Sequence, residues 1–328
     1  TGKRLQPFTI FMSTDPFPSP PWHTRLVPGV LLPHGRFAWW YFALGVAVMT
    51  GGVACAAWVQ HRWMMENSAL KHAGVLLYGF IFIGTALLTP WLASGRVYAH
   101  DYPAPVNLLG WRMGVVALMT IMIQVTVTVF ESTVQDARQA SETVAHSLGL
   151  GQGIWPDAAV VIAVTVLAPL GEEWLFRGLF FRSLRDGLAR WMPLTPAASL
   201  GAALSSLLFA LVHTSDGQAT QWPALFIMGV LLALTYEWTG SLLAPMLVHA
   251  LNNTFALIAT RALPGMQLSA DWIFFLAASA PVIVAMVGAQ LLHRLPQMPA
   301  PAPFPARSIQ PTAGRQSPGP THPPDSSR

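Results

Sequence analysis

Runs of about 20 mostly apolar residues, enough to cross ~30 Å of hydrocarbon at 1.5 Å per residue, recur along the chain. They fall near residues 38–59, 74–93, 112–130, 157–181, 197–213, 222–238, 240–260 and 271–293. The fifth, sixth and seventh are short or carry polar residues. None alternates with period two, which argues against an outer-membrane barrel. The pattern predicts an all-α fold, a polytopic transmembrane bundle of about eight helices. Residues 1–36, with "STDPFPSPPWHT", contain proline and no apolar h-region, and are expected to form a cytoplasmic segment rather than a signal peptide. Residues 294–328 are Pro-rich and lack any hydrophobic period, so a disordered tail of polyproline II character is expected there.

Composition sharpens the membrane reading. Of 328 residues, 53% are hydrophobic and 10% charged, against roughly 25% charged in soluble domains. The single cysteine, Cys55, excludes an internal disulfide and a Cys-based zinc cluster. The pI of about 9.6 comes almost wholly from arginine, because Lys3 and Lys71 are the only lysines. These arginines sit at the ends of apolar segments, as topology signals do, so the partner they imply is the lipid bilayer and no nucleic acid. Between segments four and five, "FRSLRDGLARW" sets Arg182, Arg185 and Arg190 against Asp186. Between three and four, residues 131–157 set Glu131, Asp136, Glu142 and Asp157 against Arg138 alone. The first connection reads as cytoplasmic and the second as external, which puts both termini in the cytoplasm. The Arg-, Ala-, Gly- and Pro-rich usage points to a bacterial inner (plasma) membrane. Nothing in the sequence speaks to oligomeric state.

Ionisable groups at membrane depth cost at least ~2.5–3.5 kcal/mol each and mark function by default. Segment four carries Glu172, Glu173 and Arg177. Segment five ends in Phe209 and His213, and segment seven carries His249, Asn252 and Asn253. Glu173 and Arg177 stand at i, i+4 and are expected to pair. Glu172, about 100° round a regular helix, is left free for chemistry. His249 and Asn253 are likewise i, i+4, although such a pair can simply bond neighbouring helices.

"EEWLFRG", "FALVH" and "HALNN" resemble the EExxxR, FxxxH and HxxxN motifs of the CPBP family of intramembrane endopeptidases, named for CAAX prenyl proteases and bacteriocin processing and also called Abi. The resemblance covers about 157–260. It implies a protease core over 157–293, with 37–156 supplying accessory helices and the external loop. It also implies roles: Glu172 as general base on water, His213 orienting it or moving a proton, His249 and Asn253 donating to the oxyanion. Glu173 and Arg177 would form a structural ion pair, and Phe209 is the motif aromatic. The substrate would be a membrane protein or a lipidated or leader-bearing peptide. No cofactor is expected. The alternative is zinc on Glu172, Glu173, His213 and His249, the ground on which the family has been labelled metalloprotease. Arg177, a cation beside that site, weighs against it. Two other classes fit the same residues: a proton-coupled carrier using Glu172, Glu173 and Arg177 as a relay, and a non-catalytic scaffold or immunity-type protein.

Overall fold

The computed structural model describes residues 37–64, 74–97, 101–103, 110–134, 148–213, 219–260 and 272–296. The N-terminal segment 1–36, most of the acidic connection (135–147) and the tail from 297 onwards lie outside the described residues.

Among the described residues the protein is helical throughout, with eight long helices. They are α1 (Trp39–Val59, prolonged by a π turn Gln60–Met64), α2 (Gly74–Ser94), α3 (Trp111–Thr133), α4 (Ile154–Leu188), α5 (Leu194–Val212), α6 (Trp222–Thr239), α7 (Leu243–Thr260) and α8 (Trp272–His293). Seven are long and apolar enough to cross a membrane, and α7 is a shorter apolar helix. Large apolar side chains such as Phe275, Val282 and Met286 face outward on α8, the surface a bilayer rather than water would cover.

Helix α4 is the hub, touched by α1, α2, α5, α6, α7 and α8, while α3 packs on α6 and α7. Where α2 crosses α4, two glycines meet: a Cβ at Gly171 would lie 2.6 Å from the Gly79 carbonyl oxygen. Only glycine allows that approach, and it fixes the backbone directly before Glu172. Along its length α4 changes helical type. The stretches Ala163–Leu167 and Glu173–Phe181 are π-helical, with α-helical turns between and around them.

Three bonds gather one end of the bundle. Arg112 Nε donates to the Thr239 carbonyl at 3.0 Å, Arg182 Nη1 to the Asp101 carbonyl at 2.7 Å, and the Leu242 amide to the Pro103 carbonyl at 2.8 Å. Here the structure corrects the sequence reading. The stretch "FRSLRDGLARW" is mostly not a connecting loop: residues Arg182–Leu188 continue α4, and Arg182, Arg185 and Asp186 are fully buried. Arg185 is held by Asp186, which the sequence reading had set against it, and by Glu237, which it had overlooked. Arg185 Nη1 lies 2.6 Å from Asp186 Oδ1, and its Nε lies 2.7 Å from Glu237 Oε2 on α6.

Candidate active site

The centre of the site hangs from the second π segment of α4, all nine residues of which are buried. Its hydrogen bonds run from i to i+5, a wider turn than the regular helix assumed from sequence. Glu173 and Arg177 still meet: Arg177 Nη1 donates to Glu173 Oε1 at 2.7 Å, sealed from solvent on both sides. Arg177 Nη2 donates to the Gly229 carbonyl on α6 at 3.2 Å. Its guanidinium carbon stands 4.6 Å from the centre of the Phe209 ring, a cation–π contact worth about 2 kcal/mol when desolvated.

The two histidines converge on the neighbouring carboxylate. His249 Nδ1 donates to Glu173 Oε1 at 2.7 Å. His213, half-buried at the C-terminal end of α5, donates Nδ1–H to the Phe209 carbonyl at 2.7 Å. A carbonyl only accepts, so that bond places hydrogen on His213 Nδ1. Each ring thus uses Nδ1 as its anchor, and each Nε2 lies 3.8 Å from the same atom, Glu172 Oε2. That is too long for a hydrogen bond and is the spacing at which a third small group bridges. Glu172 Oε2 is buried without a hydrogen-bond partner among the described residues. Leaving a buried polar atom unsatisfied costs ~1–3 kcal/mol, more when it is charged.

Glu172, Glu173, Arg177, Phe209, His213 and His249 therefore form one cluster drawn from α4, α5 and α7. Asn253 stands one turn along α7, where its Nδ2 donates to the Val164 carbonyl in the first π segment of α4 at 2.8 Å. Asn252 was noted in the sequence without a role, and Gln124 of α3 was passed over. Gln124 Nε2 donates to Asn252 Oδ1 at 2.9 Å. The available signal was one amide inside "GVVALMTIMIQVTVTVF". Among the described residues, no group of three or more His, Cys, Asp or Glu side chains is arranged to hold a metal ion.

Residues 154–255 match the family model described as type II CAAX prenyl endopeptidase Rce1-like. The chain is 29% identical over 157 residues to the membrane-embedded CAAX protease MroQ of Staphylococcus aureus (strain USA300), covering 48% of this chain and 58% of that protein. Residues 154–255 therefore carry a domain of the CPBP protease family. The chain is a multi-pass integral membrane protein. Two further relatives carry no functional name. An uncharacterized 24.3 kDa protein of Escherichia coli is 29% identical over 199 residues, 60% of this chain and 88% of that one. The uncharacterized protein YpbD of Bacillus subtilis (strain 168) is 36% identical over 107 residues, 31% of this chain and 47% of that one. The chain thus spans about half the length of two of these three relatives. No solved structure gives a significant match. The CPBP match covers α4 to most of α7, the helices that carry all three motifs.

Proposed function

We propose that this protein is an intramembrane endopeptidase that hydrolyses a peptide bond of a membrane-associated substrate, prenylated or leader-bearing, with water activated by Glu172. The observation that carries the reading is the unsatisfied Glu172 Oε2 with two imidazole Nε2 atoms 3.8 Å away. Glu172 takes a proton from the water, whose oxygen bonds to the scissile carbonyl carbon while the C=O π pair moves onto oxygen. His213 orients the water through Nε2. His249 donates from Nε2 to the oxyanion, a role that needs hydrogen on both ring nitrogens. Asn253 supplies the second oxyanion contact from the amide hydrogen not spent on Val164. The C–N bond then breaks, and the leaving nitrogen takes the proton that Glu172 removed from the water.

The zinc alternative fits the donors poorly. Glu173 Oε1 is bonded to both Arg177 and His249 Nδ1 at 2.7 Å, so one carboxylate and one imidazole of the set are tied to each other, beside a buried guanidinium. We propose a metal-independent reaction. Exposed Arg96, Arg190 and Arg294 lie at helix ends of one side of the bundle. They support a topology with both termini in the cytoplasm of an inner (plasma) membrane.

The test is comparative membrane proteomics of cells carrying wild type or Glu172→Gln. A membrane-bound precursor should accumulate in the variant, and the purified wild-type enzyme should convert it with chelator present. An unchanged membrane proteome would overturn the protease reading, and full loss of conversion in chelator, restored by zinc, would overturn the metal-free one.

A further inference from the structure

Three side-chain amides form a chain that runs from α3 through α7 to α4, and they all donate in one direction. Gln124 Nε2 donates to Asn252 Oδ1 at 2.9 Å, Asn252 Nδ2 to Asn253 Oδ1 at 3.1 Å, and Asn253 Nδ2 to the Val164 carbonyl at 2.8 Å. The last acceptor sets the sense. A carbonyl offers no hydrogen, so Asn253 must present its NH₂ group to Val164 and its Oδ1 to Asn252. Asn252 must then present NH₂ to Asn253 and oxygen to Gln124.

That carbonyl is open because of the sequence. In the π segment Ala163–Leu167 bonds run from i to i+5, and the Ala168 amide donates to the Ala163 carbonyl. The next bond in that register would need an amide hydrogen on residue 169, which is Pro169 and has none. Asn253 donates to the oxygen that Pro169 cannot serve. At the other end Gln124 lines a groove of about 400 Å³ whose other walls include Ile121, Leu251 and Phe255. In lipid such an amide finds its partners inside the protein or not at all.

We propose that Gln124 and Asn252 are positioning residues for Asn253, holding its amide so that the second N–H points at the oxyanion. The inference rests on the catalytic reading of Asn253 above. Linked amides polarise one another, so the chain also strengthens the terminal donor.

The test is steady-state kinetics on a fluorescence-quenched prenylated CAAX peptide, with thermal unfolding of each detergent-solubilised variant. Asn252→Asp keeps the shape but replaces the donor to Asn253 with an acceptor. It should lower kcat about 10- to 100-fold with KM and the unfolding midpoint little changed, because the lost contact exists only in the transition state. Gln124→Leu should lower kcat less, and Gln124→Asn should not rescue it, while Gln124→His, which keeps a ring N–H, should do so in part. Neither Gln124→Leu nor Asn252→Asp should add to the loss in an Asn253→Ala background. Wild-type kcat in Asn252→Asp and Gln124→Leu, or full additivity with Asn253→Ala, would overturn the relay. An Asn253→Ala enzyme with normal kcat would instead overturn the oxyanion role itself.

Discussion

Helix α4 carries two buried charge clusters less than three turns apart, and they are finished differently. In the lower one, Arg185 meets Asp186 at 2.6 Å and both oxygens of Glu237 at 2.7 and 2.9 Å, while Arg182 bonds the Asp101 carbonyl. Two cations face two anions, and their short bonds tie α4 to α6 and the 101–103 segment. In the upper one, Arg177 and Glu173 are equally close, yet Glu172 Oε2 and Glu173 Oε2 both lack a hydrogen-bond partner, and Glu172 Oε2 stands 3.8 Å from two imidazoles. The contrast separates structure from chemistry. Buried charge as such marks neither; carboxylates at ion-pair distance from arginine brace helices, and a carboxylate oxygen that faces two imidazoles across a gap one small group wide is a candidate for chemistry.

The largest break should come at that atom. Glu172→Gln should cut turnover by about 10²–10⁴-fold, the usual worth of a general base, while the unfolding midpoint stays near wild type. A variant that melts early would make Glu172 another brace. Next, Arg185→Met should strand Glu237 and weaken the hold on Asp186, at a cost of ~3–5 kcal/mol for breaking a buried pair. It should accumulate poorly, and adding Glu237→Leu should recover part of the loss in a thermal melt. Normal stability of the single variant would remove the lower cluster from the fold's supports.

Glu173 straddles the two types, and a third comparison uses that. Glu173→Leu and Arg177→Met should each destabilise, and the double variant should regain part of the stability because no unpaired charge remains. Its turnover should stay low, because His249 Nδ1 has lost its acceptor. Full activity in the double variant would show that this bond has no catalytic part. The smallest effect is steric. Gly171→Ala puts a Cβ 2.6 Å from the Gly79 oxygen, and overpacking costs ~1–3 kcal/mol. Gly84→Ala, with nothing within 4 Å of its new carbon, should melt like wild type.

Much of this architecture was legible in the apolar pattern. The predicted segments 74–93 and 222–238 fall within a residue of α2 and α6, because lipid-spanning helices announce themselves by length and composition. Segment 157–181 is shorter than α4 at both ends, and the reason is physical: its C-terminal turns carry charge that reads as a loop until Glu237, 52 residues beyond Arg185, is seen to neutralise it. The spacing of Glu173 and Arg177 foretold their contact. The helical type around them was not foretold, since a π turn leaves the apolar run of a spanning segment unbroken. Asn253 is the sharpest case. Its motif position was visible, but its bond to Val164 depends on a proline in another helix, a relation no local pattern encodes.

The 35 residues of α4 have a consequence for the membrane around it. At the α-helical rise they measure about 52 Å, against ~30 Å of hydrocarbon. Even leaning by about 40°, the steep end of the usual range, the helix could keep only about 39 Å inside. Some of α4 must stand among the headgroups, and how much depends on how far it leans. Acyl chains of different length would change that lean relative to α5, which contributes His213, while Glu172 rides on α4. Bilayer thickness would thereby become a coordinate of the candidate site, and turnover in vesicles of graded chain length would trace it.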